Sequence, residues 1–298
     1  ALGNLYRSTG QYQDAEYEYE KALETDPSSV EALVGLGGIY RLQNRLEEAE
    51  AVLTRAIGLH PGDAGAYQSL GRFLFRSGRY REAAEQYRFA VALKPDDMHS
   101  QANLGAAYML DGNFTAAVPA FEKAIETEAT KMAYSNLGLL HYYLGEYDAA
   151  IESHRAAVRL ASKDYLALSN LGDALWFAGK PDEARQVFET ARTLALDALD
   201  VNSNDPSLLI DAAWINAMLG SADEARALME RARRLAPDDP YTHYYDGLIL
   251  LKSGYEDAAL KALEIAAEKG YSRQMLAAEP HLEPLRHSPR FSAIVEGS

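Results

Sequence analysis

The sequence predicts an all-α, right-handed superhelical solenoid of antiparallel helix pairs, with about eight pairs and a short C-terminal cap. Three observations predict it. A glycine or asparagine recurs as Gly10, Asn44, Gly78, Gly112, Gly145, Gly179, Gly220 and Gly254, at intervals of 34, 34, 34, 33, 34, 41 and 34 residues. Five residues after each stands Ala (Ala15, Ala49, Ala83, Ala117, Ala150, Ala184, Ala225, Ala259), and twelve after it stands Ala again. Seven before it stands a small residue: Gly3, Gly37, Gly71, Gly105, Gly138, Gly172, Ala213, Gly247. A period of this length is the mark of a solenoid, in which one hairpin cannot bury its apolar face alone and must stack on its neighbours.

Each element follows from these columns. Apolar residues recur at helical spacing on two segments per repeat. The two alanines lie on one stripe of the second helix, two turns apart, and let the first helix approach closely. The recurring Gly ends the first helix in the left-handed conformation that a helix C-terminus favours. An aromatic two residues later (Tyr12, Tyr80, Phe114, Tyr147) fills the wedge at the turn, and Pro27, Pro61, Pro95 and Pro237 stop second helices. Pro119 falls inside a second helix and should either sit in its first turn or kink it. The seven extra residues between Gly179 and Gly220 predict about two additional turns, ~10 Å, on the second helix near 181–201. Asp205-Pro206 should cap and open the helix that follows. The solenoid is expected over 1–270. Residues 271–298, interrupted by prolines, are expected to close its open end.

Composition narrows the function. Among 298 residues, 44 acids face 29 bases, a formal charge of −15. That argues against general attraction to nucleic-acid phosphate. The absence of cysteine excludes disulfides and thiolate zinc sites and is compatible with a reducing or an oxidising compartment, cytoplasm or periplasm alike. No apolar run approaches the ~20 residues of a membrane span, so no membrane insertion is expected. The chain begins at Ala1, and its first helix lacks its beginning. A preceding repeat or fused domain is expected to cover that face, which left open would offer a route to self-association.

No catalytic constellation stands out. Gly172 to Gly179-Lys180 has the wrong spacing for a phosphate loop, and H-E-x-x-H and G-x-S-x-G are absent. No catalytic residue, metal site or cofactor is expected. His141 and His154 stand where sister repeats place Tyr, Leu or Phe, and read as packing residues.

The residues "YQSLGRFLFRSGRYREAAEQYRFAVALKP" (67–95) resemble the tetratricopeptide repeat family at nearly every signature position. The resemblance covers about residues 1–270. It implies a non-enzymatic protein-interaction module that binds an extended or short helical peptide of a partner in a concave groove lined by first helices. The lengthened repeat and the tail, about 160–296, also resemble C-terminal repeat regions of bacterial multidomain signalling proteins, fused to kinase, cyclase or winged-helix domains. That implies an alternative, a regulatory arm that senses a small ligand.

Candidate groove residues stand nine, six, three and two places before the recurring Gly. Asn103, Asn136 and Asn170, followed by Asp211, form a ladder that resembles the peptide-holding groove of the O-linked N-acetylglucosamine transferase superhelix. An amide carries both donor and acceptor, so these residues either hold peptide backbone or brace adjacent helices. Arg41, Arg72 and Arg76, with Arg7, read as grips for acidic side chains or a C-terminal carboxylate. Tyr142, Trp176 and Trp214 read as pockets for apolar side chains.

Overall fold

The structure is a computed structural model that describes residues 2–297, and every regular element in them is helical. The hairpins run α1 (Leu2–Ser8) with α2 (Tyr12–Thr25), α3 (Val30–Leu42) with α4 (Leu46–Leu59), and α5 (Ala64–Arg76) with α6 (Tyr80–Leu93). They continue with α7 (Met98–Leu110) and α8 (Phe114–Thr127), α9 (Lys131–Tyr143) and α10 (Tyr147–Leu160), and α11 (Tyr165–Phe177) and α12 (Pro181–Val201). Then come α13 (Pro206–Met218) with α14 (Ala222–Leu235), and α15 (Pro240–Lys252) with α16 (Glu256–Glu268). The tail holds α17 (Arg273–Ala278), a 3-10 turn over Pro280–Leu285, and α18 (Pro289–Glu296). The chain divides into two compact bodies, one up to Tyr108 and one from Met109.

The turn inside each hairpin is set by its recurring residue. Gly10, Gly78, Gly112, Gly145, Gly179, Gly220 and Gly254 take φ of +72° to +85°, and Asn44 takes 61°. The next amide reaches back five residues, as in Arg79 N to Leu74 O at 3.0 Å and Glu146 N to His141 O at 2.8 Å. This pairing satisfies carbonyls that a helix end leaves open. First helices begin on side-chain caps: Ser29, Asp63, Thr130, Asp164, Asp205 and Asp239 each accept from an amide two or three residues on.

Inside a hairpin the small residue of the first helix receives a large side chain of the second. A Cβ on Gly172 would stand 2.6 Å from the Phe188 ring, and one on Gly138 would stand 2.6 Å from the His154 ring. Tyr19, Leu53, Tyr87 and Leu263 meet Gly3, Gly37, Gly71 and Gly247 in the same way. The columns of small residues are thus sockets for one large residue per repeat. Where the column carries Ala213, the equivalent second-helix residue is Met229, a buried and unbranched chain that adapts to irregular space.

The long insertion is helical. α12 has 21 residues against 14 in α10, and Asp205 caps α13 with Pro206 in its first turn. Pro119 lies in the second turn of α8, which runs unbroken through it.

Neighbouring hairpins are tied at the spacing of the repeat. Arg45 reaches Glu16 at 2.6 Å, and Arg79 reaches Glu50 at 2.6 Å. Each also forks onto a carboxylate of its own helix, Glu48 or Glu82. These half-exposed pairs contribute little individually, ~0–1 kcal/mol. Their value is in register. The first helices pack on one another, α1 on α3, α3 on α5, α9 on α11 and α13 on α15, and among the described residues no second helix packs comparably on the next. Within each body the first helices therefore crowd the concave side.

Among the described residues no helix is long and apolar enough to cross a membrane.

Candidate functional site: two concave faces

In the N-terminal body the concave face is open and basic. A cavity of about 130 Å³ lies against α1, α3 and α5, lined by Arg7, Arg41, Arg72, Ser69, Val34, Gly37, Gly38, Leu53 and Phe73. Arg7, Arg72 and Arg76 are exposed and Arg41 is half-buried. A side chain on Gly38 would press on Arg7, whose Nη1 lies 3.4 Å from the position of a Cβ there. Among the described residues none forms a hydrogen bond or ion pair with these four guanidinium groups. By contrast Arg45, Arg55 and Arg79 of the same body are each held by a carboxylate or carbonyl of the preceding hairpin. Burial, then the neighbouring Arg76 and Arg72, pull the Arg41 guanidinium below its ordinary pKa. Like charges are thus gathered without compensation in a protein that is otherwise strongly acidic.

In the C-terminal body the concave face is filled by the chain's own tail. The carboxylate of Glu279 is buried, 3% exposed. It accepts hydrogen bonds from Tyr142 Oη at 2.8 Å, Tyr244 Oη at 2.7 Å and the His281 amide at 3.1 Å. The His281 ring is flanked edge-on by Phe177 at 4.6 Å and Trp214 at 4.7 Å. Its Nε2 lies 3.4 Å from Asp173 Oδ1, while Trp214 Nε1 donates to Asp173 Oδ2 at 3.1 Å. Leu282 and Leu285 are fully buried. Upstream, Ser272 Oγ donates to Leu110 O at 3.4 Å. The segment from Ser272 to Leu285 thus touches α7, α9, α11, α13 and α15 in turn.

The tail therefore does more than close an open end. α18 does pack on α16, as an end cap would. The 3-10 turn instead enters the groove, where His281 joins two sets of ring contacts, Tyr142 with Tyr143 and Phe177, and Trp214 with Tyr245, Tyr244 and Tyr271. Burial first, and then the negative charge of Glu279, push the Tyr142 and Tyr244 phenols well above their ordinary pKa. Both remain neutral donors, which the buried carboxylate needs.

The expected groove residues fall into three groups. Tyr142 and Trp214, expected as open pockets, are 5% and 3% exposed because Glu279 and His281 occupy them. Trp176 is 43% exposed, with Lys252 Nζ of α15 5.0 Å from its ring. Arg41 and Arg72 share one cavity, and Arg76 lies close enough to act on Arg41. Of the ladder, Asn103 lies on α7 within the N-terminal body, and Asn136 and Asn170 lie on α9 and α11 of the C-terminal body. No described residue hydrogen-bonds any of the three amides. The next rung, Asp211, behaves differently: burial pushes its carboxyl up to about 7, and Tyr165 of α11 lies near enough to act on it. At that rung the side chain braces adjacent helices.

Glu279 and His281 went unnoticed as groove residues in the sequence. Their only signal is Leu282 and Leu285, set among prolines without the period of either helix or strand, which does not say where the segment docks.

Family models described as tetratricopeptide repeat match residues 1–64 and 69–132, 132–163 and 164–238. No curated protein sequence matches the chain. Among solved structures, the chain is similar to the crystal structure of MamA, with 28% identity and a TM-score of 0.50, over 55% of this chain and 96% of that one. A tetratricopeptide repeat protein from Parabacteroides merdae superposes with a TM-score of 0.63 at 19% identity, over 85% of this chain and 97% of that one. PilF of Pseudomonas aeruginosa superposes with a TM-score of 0.52 at 19% identity, over 73% and 96%. The last two likenesses speak for the fold alone.

Proposed function

The chain belongs to the tetratricopeptide repeat family, and we propose that within it the protein serves as an interaction scaffold whose open binding surface is the arginine-lined concave face of the N-terminal body. The ligand is an acidic polypeptide segment of a partner. One observation carries this reading: Arg7, Arg41, Arg72 and Arg76 gather about a cavity with no carboxylate among its lining residues, in a protein of net charge −15. Gathered guanidinium groups repel one another, and the half-buried Arg41 also loses hydration. Such a cluster is paid for only by an anion that arrives from elsewhere. Arginine is also the residue whose planar fork matches oxyanions bidentately.

Fluorescence anisotropy with short acidic peptides, against neutral peptides of the same length, tests the reading. Arg41→Ala with Arg72→Ala should weaken acidic-peptide binding at least about tenfold, since a lost charge-assisted contact is worth roughly 1.5–3 kcal/mol. Unchanged affinity in the double variant, at intact helicity, would sink it.

A second reading, a regulatory arm that responds to a ligand, is favoured by the occupied groove of the C-terminal body. There a ligand would have to displace residues 279–285. Protection of this segment from proteolysis that falls on addition of a ligand would support it, and protection indifferent to any ligand that binds would count against it.

A further inference from the structure

The arginine cavity carries more than a preference for acidic chains. Three of its guanidinium groups come from three different helices, Arg7 from α1, Arg41 from α3 and Arg72 from α5, and line one hollow of about 130 Å³. A carboxylate is planar, carries one charge and offers two oxygens whose acceptor sites lie in one plane, and a single guanidinium fork already matches that charge. A phosphate monoester carries about −1.5 to −2 charge at neutral pH and offers three terminal oxygens in three directions. Donors converging from three helices match the second geometry and leave the first with surplus positive charge. Arg76, near enough to depress Arg41, adds a further positive charge beside the hollow. The hollow is below the ~300 Å³ at which small-molecule pockets begin, so it accommodates a headgroup and not a whole cofactor. The remainder of the ligand must lie outside it, along the concave face.

We infer that this cavity binds the phosphoryl group of a phosphorylated serine or threonine presented on an extended polypeptide, an inference that rests on the acidic-segment reading above. Arg7, Arg41 and Arg72 take the terminal oxygens, and Gly38, with no side chain to fill the space beside Arg7, leaves room for the phosphate. Phosphorylation of the partner then acts as the switch for docking, because it supplies charge that an unmodified hydroxyl lacks.

The test uses the full chain and one short glycine-serine peptide in three forms, with a central phosphoserine, glutamate or serine, and inorganic phosphate as a fourth probe. Anisotropy and competition are read at about 50 mM salt, where screening is weak. The phosphopeptide should bind at least about tenfold more tightly than the glutamate peptide, and the serine peptide should not bind measurably. Arg41→Ala with Arg72→Ala should abolish the difference. Arg41→Lys with Arg72→Lys, which keeps charge but loses the fork, should retain only part of it. Equal binding of the phosphoserine and glutamate forms, lost in the alanine variant, overturns the phosphoryl inference and leaves the acidic-segment reading standing. Binding that ignores the peptide's charge, or survives the alanine variant, overturns both. Inorganic phosphate binding as tightly as the phosphopeptide overturns the polypeptide part and reassigns the cavity to a free anion.

Discussion

Tyr142 donates its phenolic hydrogen to Glu279, 137 residues further along the chain, at 2.8 Å. With Tyr244 on the other carboxylate oxygen at 2.7 Å, this contact pins the tail inside the C-terminal body. A buried carboxylate is tolerable only when its oxygens are satisfied, and here two phenols and an amide satisfy them.

Glu279→Ala should therefore loosen the tail. Hydrogen bonds to a charged group contribute about 1.5–3 kcal/mol each; with the relieved desolvation of the buried carboxylate set against their loss, stability should fall by roughly 2–4 kcal/mol. Glu279→Gln, which keeps one acceptor oxygen, should cost less. Urea unfolding measures the change, and hydrogen exchange over 272–285 locates it. An unaltered exchange pattern in the alanine variant would mean that the apolar contacts of Leu282 and Leu285 hold the tail alone.

His281→Ala should admit water to the indole of Trp214. The chain has two tryptophans, and Trp176 is already 43% exposed. In a Trp176→Phe background the emission reports Trp214 alone, buried at 3% exposure. The expected result is a red shift and easier quenching by iodide when His281 is removed. Identical spectra would show that the ring at 4.7 Å does not shield the indole.

Acid should destabilise the C-terminal body through His154. It is 1% exposed, and its Nδ1 lacks a hydrogen-bond partner. Burial first, and then His141, bring its pKa from 6.5 down to about 3. The unfolded chain thus takes up a proton that the folded one refuses. Stability should fall as pH drops below about 6.5, with the loss complete near 3, and should be about 2 kcal/mol lower at pH 5 than at neutrality from this group. His154→Phe, the residue that Phe121 and Phe188 supply at the same position of sister repeats, should remove that slope. Thermal unfolding of both proteins at pH 7 and pH 5 decides it, and parallel losses in the two would assign the acid sensitivity elsewhere.

The socket rule can be tested in the sixth hairpin. Gly172→Ala puts a Cβ against the Phe188 ring and should cost about 1–3 kcal/mol, the usual range for overpacking a filled core. Adding Phe188→Met reproduces the Ala213–Met229 pairing of the next hairpin and should recover part of the loss. A double variant no better than the single would indicate that the two positions do not compensate, which a double-mutant cycle in urea measures directly.

The repeat architecture was legible because it is local. Gly78 ends a helix through its own backbone conformation, Ala83 and Ala90 lie two turns apart on one stripe, and the seven residues 195–201 lengthen α12 by their own helical pattern. Each of these follows from residues close in sequence, and repetition multiplied the signal. The arginine cluster was partly legible for the same reason, since Arg7 and Arg41 hold equivalent positions and equivalent positions face the same side. What tertiary structure alone decided was occupancy. Nothing local to Tyr142 or Trp214 distinguishes a ring awaiting a partner from one already covered, and nothing local to Glu279 or His281 says which of several first helices they meet. The tail has no period to place it, and its docking depends on contacts more than 100 residues away, as between His281 and Asp173. Sequence thus determined the scaffold. Long-range packing determined that the aromatic groove is closed and the arginine-lined one is open, because burial is a property of what arrives from far along the chain.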